Sequence, residues 1–237
     1  MASSLKVRIG GYSIAGQKPV NQDAFAVNIP TGSELEYKGV VAAIADGVSS
    51  CEESHIASQT AVTSFINDYL STAPSWSVST SASKVMTSLN RWLYQKNQQT
   101  HGEKDSMLTT FTSVVIKSST LHGFHVGDTR VYLYSNGQLE KLTNDHVLIS
   151  GKRTHLARAL GADSHLEVDY FKRLLNQGDR ILLTSDGVHE VLDNNAIKER
   201  LASEHDLEEQ AKALVNLALY KGSNDNLTAL ILAVDEL

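Results

Sequence analysis

The 237-residue sequence predicts an α+β fold in which antiparallel β-sheets are covered by pairs of helices. Two neighbouring segments early in the chain repeat apolar residues at helical spacing, and the strand-like segments of the middle follow one another without helices between them. A doubly wound parallel sheet needs strands and helices that alternate one to one, and this chain does not alternate in that way. We expect a single domain, residues 1–237, because a chain of this size buries roughly 70–75% of its unfolded surface in one core.

Three segments have the apolar periodicity of helices. The first runs from about Glu52 to Leu70, and the second runs from about Val78 to Asn97. The Ser- and Thr-rich stretch from Ser71 to Ser83 is interpreted as the loop between them, with one serine capping the second helix. A third helix is predicted near the C-terminus, where Asp206 and Glu209 have the spacing of a capping box.

Nine segments have the composition of strands, and Asn-Gly at residues 136–137 predicts a hairpin turn after the sixth of them. The predicted strands are Val7–Ile14, Ala24–Ile29, Gly39–Ala45, Phe111–Lys117, Leu121–Val126, Arg130–Tyr134, Leu166–Phe171, Arg180–Thr184 and Leu227–Val234. A polar run from Asn97 to Ser106 is predicted to be a surface loop. Because strands follow strands in the middle of the chain, antiparallel pairing is expected there.

The composition excludes several classes of protein. Lys and Arg total 21 against 27 Asp and Glu, a net charge of −6, whereas a protein that binds nucleic acid through its phosphates usually has the opposite balance. The single cysteine, Cys51, cannot form an internal disulfide, and it is interpreted as an ordinary thiol. No apolar stretch is long enough to cross a bilayer. We therefore expect a cytoplasmic protein with no nucleic-acid partner and no membrane insertion in this chain.

The most informative feature is a set of aspartates beside apolar strands. An acid at the end of a buried strand is costly unless it is paired with a base or binds a cation. Lys and Arg are nearly absent from the sequence beside Asp46, Asp186 and Asp225, which favours either raised pKa values or a bound metal. The aspartates are Asp23, Asp46, Asp128, Asp186 and Asp225.

Each of these aspartates also has a simpler interpretation. Asp-Gly is a common turn dipeptide, so any one of the motifs taken alone is more often a turn than a metal ligand. Asp128 could pair with Arg130, and the Asp225-Asn226 pair could cap a strand. The repetition of the pattern in five distant segments favours a common site over five independent turns.

Oxygen donors without paired histidines or a cysteine cluster are typical of Mg²⁺ or Mn²⁺ sites. A carboxylate that bridges two such ions can hold them about 3.5–4 Å apart, with a hydroxide poised for in-line attack on a phosphoester. The pattern is thus consistent with metal-dependent phosphoester hydrolysis.

An ordered series of motifs resembles the metal-dependent protein phosphatase family, the PPM or type 2C serine/threonine phosphatases. The motifs span about residues 7–235 and are Asn21-Gln22-Asp23-Ala24, Ala45-Asp46-Gly47-Val48, Gly127-Asp128-Thr129-Arg130, Thr143-Asn144-Asp145-His146, Ala159-Leu160-Gly161, Thr184-Ser185-Asp186-Gly187 and Ser223-Asn224-Asp225-Asn226. The resemblance implies an αββα sandwich of two antiparallel β-sheets flanked by helix pairs, with the metals in a cleft at one edge of the sheets.

The resemblance also implies roles for individual residues. Asp46 would bridge two metal ions, and Gly47 would offer its backbone carbonyl. Asp186 and Asp225 would complete the ligands of the first ion. Two ions, Mn²⁺ or Mg²⁺, are expected, with a third, weaker ion as an option.

Two further aspartates would support these ligands. Asp23 would orient metal-bound water, and Asp128 would help Asp186 to hold the third ion. The expected reaction is direct hydrolysis of phosphoserine or phosphothreonine by metal-activated water, without a phosphoenzyme.

Two residues and one segment depart from the family pattern. Lys18 stands where many members have an arginine that binds the substrate phosphate, and it is either that contact or a solvated loop lysine. Val48 stands where some eukaryotic members have a histidine proposed as general acid. Either a metal-bound water protonates the leaving group instead, or a histidine elsewhere does so, with His146 and His189 as candidates. The segment 146–156 is short, which predicts a truncated flap of the bacterial type whose residues 151–153 form only a basic rim.

The resemblance implies a phosphorylated protein as substrate, a cognate serine/threonine kinase as partner, and a monomeric enzyme. Two alternatives remain open from the sequence. One is a catalytically silent member of the family that binds partners through the same fold. The other is a phosphatase that acts on a small phosphoester.

Overall fold

A computed structural model describes residues 5–99, 106–150 and 153–237 of the chain. Within these residues the strands are β1 (Lys6–Ile14), β2 (Asp23–Asn28), β3 (Val40–Asp46), β4 (Phe111–Lys117), β5 (Thr120–Val126), β6 (Arg130–Ser135), β7 (Gln138–Lys141), β8 (Val147–Ser150), β9 (Arg153–Leu156), β10 (Asp169–Leu174), β11 (Arg180–Thr184) and β12 (Leu227–Glu236). The helices are α1 (Gly32–Lys38), α2 (Ser54–Ser71), α3 (Val78–Asn97), α4 (Asp186–His189), α5 (Asn194–Ala202) and α6 (Leu207–Tyr220).

Two five-stranded antiparallel sheets form the centre of the fold. Sheet A has the strand order β1-β12-β11-β6-β7, and sheet B has the order β10-β5-β4-β3-β2. Strands β8 and β9 pair with each other in a separate hairpin. The predicted α+β class with antiparallel sheets is confirmed.

Three layers of buried apolar residues hold the sandwich together. One layer lies between the two sheets and includes Ile44 and Leu232. A second lies between sheet B and helices α2 and α3, where Phe65 packs against Phe111 with ring centroids 5.0 Å apart. The third lies between sheet A and helices α5 and α6 and includes Leu214. Each sheet is therefore apolar on both faces, which explains why β3 and β12 read as nearly continuous apolar runs.

The predicted helices and strands agree with the structure except at the following places. Helices α1, α4 and α5 were absent from the prediction, and strand β7 was implied only by the predicted hairpin turn. The segment interpreted as a short flap folds into the β8–β9 hairpin. The tenth strand spans Asp169–Leu174 rather than Leu166–Phe171, because residues 166 and 168 pack against the α2–α3 layer instead of pairing with β5.

The structure also tests the predicted caps of two helices. Ser77 caps α3, and its hydroxyl accepts the Thr80 amide as predicted. Asp206 caps α6, but it accepts the amide of Glu208, so the box predicted with Glu209 is not the bond that forms. Residues 100–105 of the predicted polar loop and residues 151–152 of the predicted basic rim lie outside the described residues.

Candidate metal centre

Asp23 and Asp46 are opposite one another on neighbouring strands of sheet B, at the first residue of β2 and the last residue of β3. Asp23 is buried, and its Oδ2 accepts hydrogen bonds from Ser185 Oγ and from Thr228 Oγ1, both at 2.7 Å. Both hydroxyl donors belong to the sheet A side of the sandwich. Asp23 therefore joins the two sheets at the edge where their acidic residues converge.

The backbone of Asp46 is fixed by the start of β4. Its amide donates to Thr110 Oγ1 at 2.9 Å, and its carbonyl accepts from the Thr110 amide at 2.8 Å and from Thr109 Oγ1 at 2.9 Å. Gly47 follows, and a Cβ at this position would lie 2.6 Å from the carbonyl oxygen of Ser54. Only glycine lets the chain leave β3 so close to the start of α2.

Asp186 and Asp225 enter the same region from sheet A. Asp186 is the first residue of α4, directly after β11, and Asp225 lies two residues before β12. A Cβ on Gly187 would lie 2.0 Å from the carbonyl oxygen of Asn226, so the glycine permits the close approach of α4 to the segment that holds Asp225. The glycine of this Asp-Gly pair is thus required by packing between two chain segments.

Four carboxylates and Gly47 line one cavity of about 280 Å³ at the edge of the two sheets. The lining residues are Asp46, Gly47, Val48, Ser49, Ser50, Thr110, Asp128, Leu156, Asp186 and Asp225. Asp23 is buried and does not line the cavity. The structure therefore brings to one cavity the five residues that the sequence suggested as metal ligands, which are Asp46, Gly47, Asp128, Asp186 and Asp225.

The acids raise each other's pKa values. Burial is the largest cause, and it raises the pKa of Asp23 and of Asp128 to about 7 and that of Asp186 to about 6. The pKa of Asp46 is also raised well above its usual value, first by burial and then by the charges of Asp23, Asp186 and Asp128. The interaction between the Asp46 and Asp186 carboxyl groups raises the pKa of Asp46 and lowers that of Asp186, so a proton between the two is held on the Asp46 side.

Buried side-chain oxygens that lack a hydrogen-bond partner indicate whether this group of acids suits a metal ion. Within the described residues, three buried side-chain polar atoms have no hydrogen-bond partner: Asp23 Oδ1, Asp186 Oδ1 and Ser113 Oγ. Two of the three are aspartate oxygens of this region. A buried carboxylate oxygen without a donor is costly, and a hard divalent cation or an ordered water would satisfy it.

The acids do not by themselves form a closed cage. Across the part of the chain that the structure describes, no three Asp, Glu, His or Cys side chains stand together as a complete metal site. Mg²⁺ keeps several waters when proteins bind it, and one or two carboxylates often suffice for it. The donor set thus fits an ion that also takes carbonyl and water oxygens, rather than one that is held by side chains alone.

Lys18 lies beside the acids in space although it is remote from them in sequence. Its Nζ is 3.3 Å from Asp225 Oδ2 and 3.4 Å from Ser49 Oγ. The lack of bases beside Asp225 in the sequence was therefore a misleading signal, because folding supplies one. An ammonium group at the rim of a carboxylate cavity is positioned to attract an anion as well as to offset one acid.

The two candidate histidines do not line the cavity. His189 is buried with its Nδ1 2.9 Å from Thr184 Oγ1, and burial lowers its pKa to about 3, so it is neutral near pH 7. His146 accepts a hydrogen bond from the Gly127 amide. Arg130 forms an ion pair with Asp145, at 2.6 Å between Nη2 and Oδ2, which excludes the alternative in which it neutralises Asp128.

Sequence reasoning missed the residues that support the acids. Ser185 and Thr228 donate to Asp23, and their only signal in the sequence is a hydroxyl residue beside an acidic motif. Asn226 ends the last of the quoted motifs, but the sequence does not show which groups it binds. Its Oδ1 accepts the Gln22 amide at 2.8 Å, while its Nδ2 donates to the carbonyls of Ala15 and Val20, at 2.9 and 3.0 Å. This one side chain holds the loop that carries Lys18.

Comparison with known families gives a match to almost the whole chain. The family model described as protein phosphatase 2C matches residues 10–230. The serine/threonine phosphatase stp of Listeria monocytogenes is 28% identical over 217 residues, which are 81% of this chain and 83% of that protein.

Solved structures share the fold. The Staphylococcus aureus serine/threonine phosphatase Stp1 superposes with a TM-score of 0.83 at 23% identity, and 99% of this chain and 98% of that chain are covered. The Mycobacterium tuberculosis serine/threonine phosphatase PstP/Ppp gives a TM-score of 0.81 at 23% identity over 97% and 99% of the two chains. The sandwich of two sheets covered by helices is therefore a known fold.

Among the described residues, no helix has both the length and the apolar character needed to cross a membrane.

Proposed function

The chain belongs to the protein phosphatase 2C family, and we propose that it removes phosphate from phosphoserine and phosphothreonine in proteins with bound Mn²⁺ or Mg²⁺. The observation that supports this proposal is the convergence of four carboxylates from both sheets on one cavity. Acids gathered without an equal number of bases keep raised pKa values, and such clusters occur at functional sites.

In this proposal, each acid of the cavity would coordinate one or two of the ions. Asp46 would bridge two ions and Gly47 would add its carbonyl, while Asp186 and Asp225 would complete the first site and Asp128 would join Asp186 at a third. When bound, the ions would supply a water of lowered pKa and a positive charge for the phosphoryl oxygens.

Asp23 would orient the water that attacks phosphorus. Its Oδ2 is occupied by two hydroxyl donors, so the carboxylate cannot rotate without loss of both bonds. Its Oδ1 has no partner and is free to accept a hydrogen bond from water. A carboxylate that is fixed on one side and unpaired on the other is suited to hold a water in one orientation.

Lys18 would bind the phosphate of the substrate. Its ammonium has three donors, and the contacts to Asp225 and Ser49 use two of them. A lysine offers a point charge rather than the planar fork of arginine, so it attracts a phosphate without fixing its rotation. Because no described histidine lines the cavity, water there would protonate the leaving alkoxide.

The substrate would be the product of a serine/threonine kinase, since such enzymes place phosphate on these side chains in proteins. A monomer would be sufficient for this reaction, because every residue of the proposed site comes from one chain.

Loss-of-function variants with a small substrate test the proposal. We expect Asp46→Asn and Asp186→Asn each to lower Mn²⁺-dependent hydrolysis of p-nitrophenyl phosphate by about 100-fold or more, because each removes several kcal/mol of charge stabilisation. Asp68→Asn, on the exposed face of α2, is the matched control and should keep full activity. Wild-type turnover in either cavity variant would show that the site is assigned wrongly.

Two further measurements separate the alternatives. A phosphothreonine peptide assayed beside small phosphoesters distinguishes a protein phosphatase from an enzyme for small substrates. No turnover of any substrate, together with no Mn²⁺ binding by calorimetry, would favour a silent binding domain instead.

A further inference from the structure

Two buried histidines lie behind the turn that carries Asp128, and the proposed reaction uses neither of them. The rings of His125 and His146 are in contact, with centroids 4.7 Å apart. His125 is fully buried and only 9% of His146 is exposed. Both belong to segments that meet at residues 127–129, so their hydrogen bonds determine how that turn is held.

His146 binds Gly127, the residue before Asp128, through two hydrogen bonds. The Gly127 amide donates to His146 Nδ1 at 3.0 Å, and the His146 amide donates to the Gly127 carbonyl at 2.7 Å. Gly127 has a φ of 112°, and a Cβ on it would lie 2.5 Å from Thr110 Cβ. The turn therefore depends on glycine at 127, and the histidine fixes both polar groups of that residue.

His125 supports the other side of the same turn. Thr129 Oγ1 lies 2.6 Å from Thr112 Oγ1, which is 2.7 Å from His125 Nδ1. The second ring nitrogen of His125 is 3.0 Å from the carbonyl oxygen of Asn144, so it donates there. The residues on either side of Asp128 are thus held by buried hydrogen bonds, while the carboxylate itself lines the cavity.

The outer nitrogen of His146 is also engaged. Nε2 lies 3.2 Å from Asp169 Oδ2 on β10, and Arg158 Nη1 lies 3.2 Å from the other oxygen of that carboxylate. Because Nδ1 accepts from an amide, the ring proton must be on Nε2, which lies between Asp169 Oδ2 and Arg158 Nη1, the latter at 3.4 Å. The amide of Ala157 donates to the His146 carbonyl at 2.8 Å, next to the last residue of β9.

We propose that His146 is a positioning residue that holds Asp128 in the orientation needed to bind a divalent cation at the cavity. The inference rests on the proposed function only in the identity of the cation. Replacement of a residue that orients a metal ligand through a hydrogen bond typically weakens metal affinity by 10–100-fold. His146 acts through the backbone of Gly127, so it does not touch the ion.

A pair of substitutions separates the contact from mere packing. Asparagine at 146 places an amide oxygen near the position of Nδ1 and can still accept from the Gly127 amide. Glutamine places its amide near Nε2 and leaves Gly127 without an acceptor. We expect His146→Gln to weaken the lowest-affinity Mn²⁺ site by about tenfold or more in calorimetry, as Asp128→Asn does. His146→Asn should stay within about threefold of the wild type.

Controls and a double variant complete the calorimetry. His122→Gln, on the same strand as His125 but bonded to the Tyr170 hydroxyl, should bind Mn²⁺ like the wild type. If His146 acts through Asp128, the double variant Asp128→Asn/His146→Gln should bind Mn²⁺ no more weakly than Asp128→Asn alone. Additive losses would overturn the proposal, and so would a His146→Gln protein with unchanged Mn²⁺ binding.

A readout on the metal-free protein keeps the test independent of catalysis. Long-range ¹H–¹⁵N spectra should show the His146 ring protonated at Nε2 and unprotonated at Nδ1, and Gly127 amide exchange should be faster in His146→Gln than in His146→Asn. If His146→Gln does not fold, the wild-type ring spectrum decides, and a proton on Nδ1 would overturn the contact. Mn²⁺ binding without phosphatase activity in the wild type would contradict the proposed function but not this inference.

Discussion

Asp23 and Asp46 are two buried or half-buried carboxylates at opposite positions of one antiparallel pair, an arrangement that costs free energy when both are charged. Like charges at directly opposite positions destabilise a sheet. Two hydroxyl donors offset part of this cost at Asp23, and the raised pKa of Asp46 offsets another part because it favours the neutral form of that carboxyl. The rest of the cost remains in the metal-free protein, which is the physical reason why a cation stabilises this region.

Raised carboxyl pKa values predict that the metal-free protein becomes less stable as pH rises. The folded-state pKa is about 7 for Asp23 and Asp128 and about 6 for Asp186, against 3.8 in the unfolded chain. Between these values the unfolded chain has released protons that the folded chain keeps, so the free energy of unfolding falls as pH increases. Thermal unfolding in EDTA from pH 4 to pH 8 measures the trend.

A single variant isolates this effect. In EDTA at pH 7, Asp186→Asn should have a higher Tm than the wild type, by about 2–4 °C for each kcal/mol of repulsion removed, and the difference should shrink towards pH 4. Asp68→Asn should show no such pH-dependent difference. A wild-type Tm that rises between pH 4 and pH 7 would contradict the prediction.

Lys18 is expected to affect binding more than turnover. Lys18→Arg keeps the charge but adds the planar fork that matches a phosphate, so we expect KM for a phosphothreonine peptide to change by at least about threefold with a smaller change in kcat. Lys221→Arg, beyond the C-terminal end of α6, is the matched control. Unchanged KM in Lys18→Arg would mean that Lys18 serves only as a partner of Asp225.

At the level of single residues, the sequence predicts the acids but not what holds them. Asp46, Asp186 and Asp225 stand out because an acid beside an apolar strand is unusual. Ser185 and Thr228 do not stand out, because a hydroxyl residue is common at the end of any strand. Their role depends on a contact between two sheets, which only the folded chain creates.

The β8–β9 hairpin is an element whose surface differs from its surroundings. It begins after His146, and its last residue, Leu156, lines the acidic cavity. Leu148 and Ile149 on β8 are 65% and 79% exposed. Consecutive residues of a strand point to opposite faces, so each face of this hairpin exposes one large apolar side chain, and both are suited to contact a bound protein.

This hairpin should distinguish protein substrates from small ones. We expect a Leu148→Ser/Ile149→Ser variant to lower kcat/KM for a phosphoprotein by roughly 3- to 30-fold, equivalent to about 0.7–2 kcal/mol of lost apolar contact, because the contacts occur only with a large substrate. Its rate with p-nitrophenyl phosphate should stay at the wild-type value. Leu174→Ser, on the exposed edge strand β10, is the control and should affect neither substrate. Equal losses with both substrates would mean that the hairpin supports the cavity rather than the substrate.

The elements that sequence reasoning missed have weak local signals. Helix α1 has seven residues, and α5 buries only Ile197 and Leu201, so neither shows a long apolar stripe. Such short helices depend on tertiary packing rather than on their own propensity. Strand β10 was predicted three residues early for a related reason, since Leu166 and Val168 are apolar but pack against a helical layer.

On the scale of the whole molecule, the cavity is a product of the two-sheet assembly. Asp46 and Asp128 come from sheet B and the turn that follows β5, whereas Asp186 and Asp225 flank strands of sheet A. Asp23 joins the sheets through its two hydroxyl donors. Neither sheet alone gathers these acids, so an ion bound in the cavity would stabilise the contact between the sheets.

This linkage predicts that Mn²⁺ raises the thermal stability of the entire chain. A ligand that binds only the folded state adds about 2.7 kcal/mol at a concentration 100 times its Kd, which corresponds to a Tm increase of about 5–10 °C for a chain of this length. Calorimetric unfolding in EDTA and in Mn²⁺ measures the increase. Asp46→Asn should lose most of it, because that residue would bridge two ions, whereas Asp68→Asn should retain it. An increase that persists unchanged in Asp46→Asn would mean that Mn²⁺ stabilises the protein at another place, and the proposal that the inter-sheet cavity holds the ions would then be wrong.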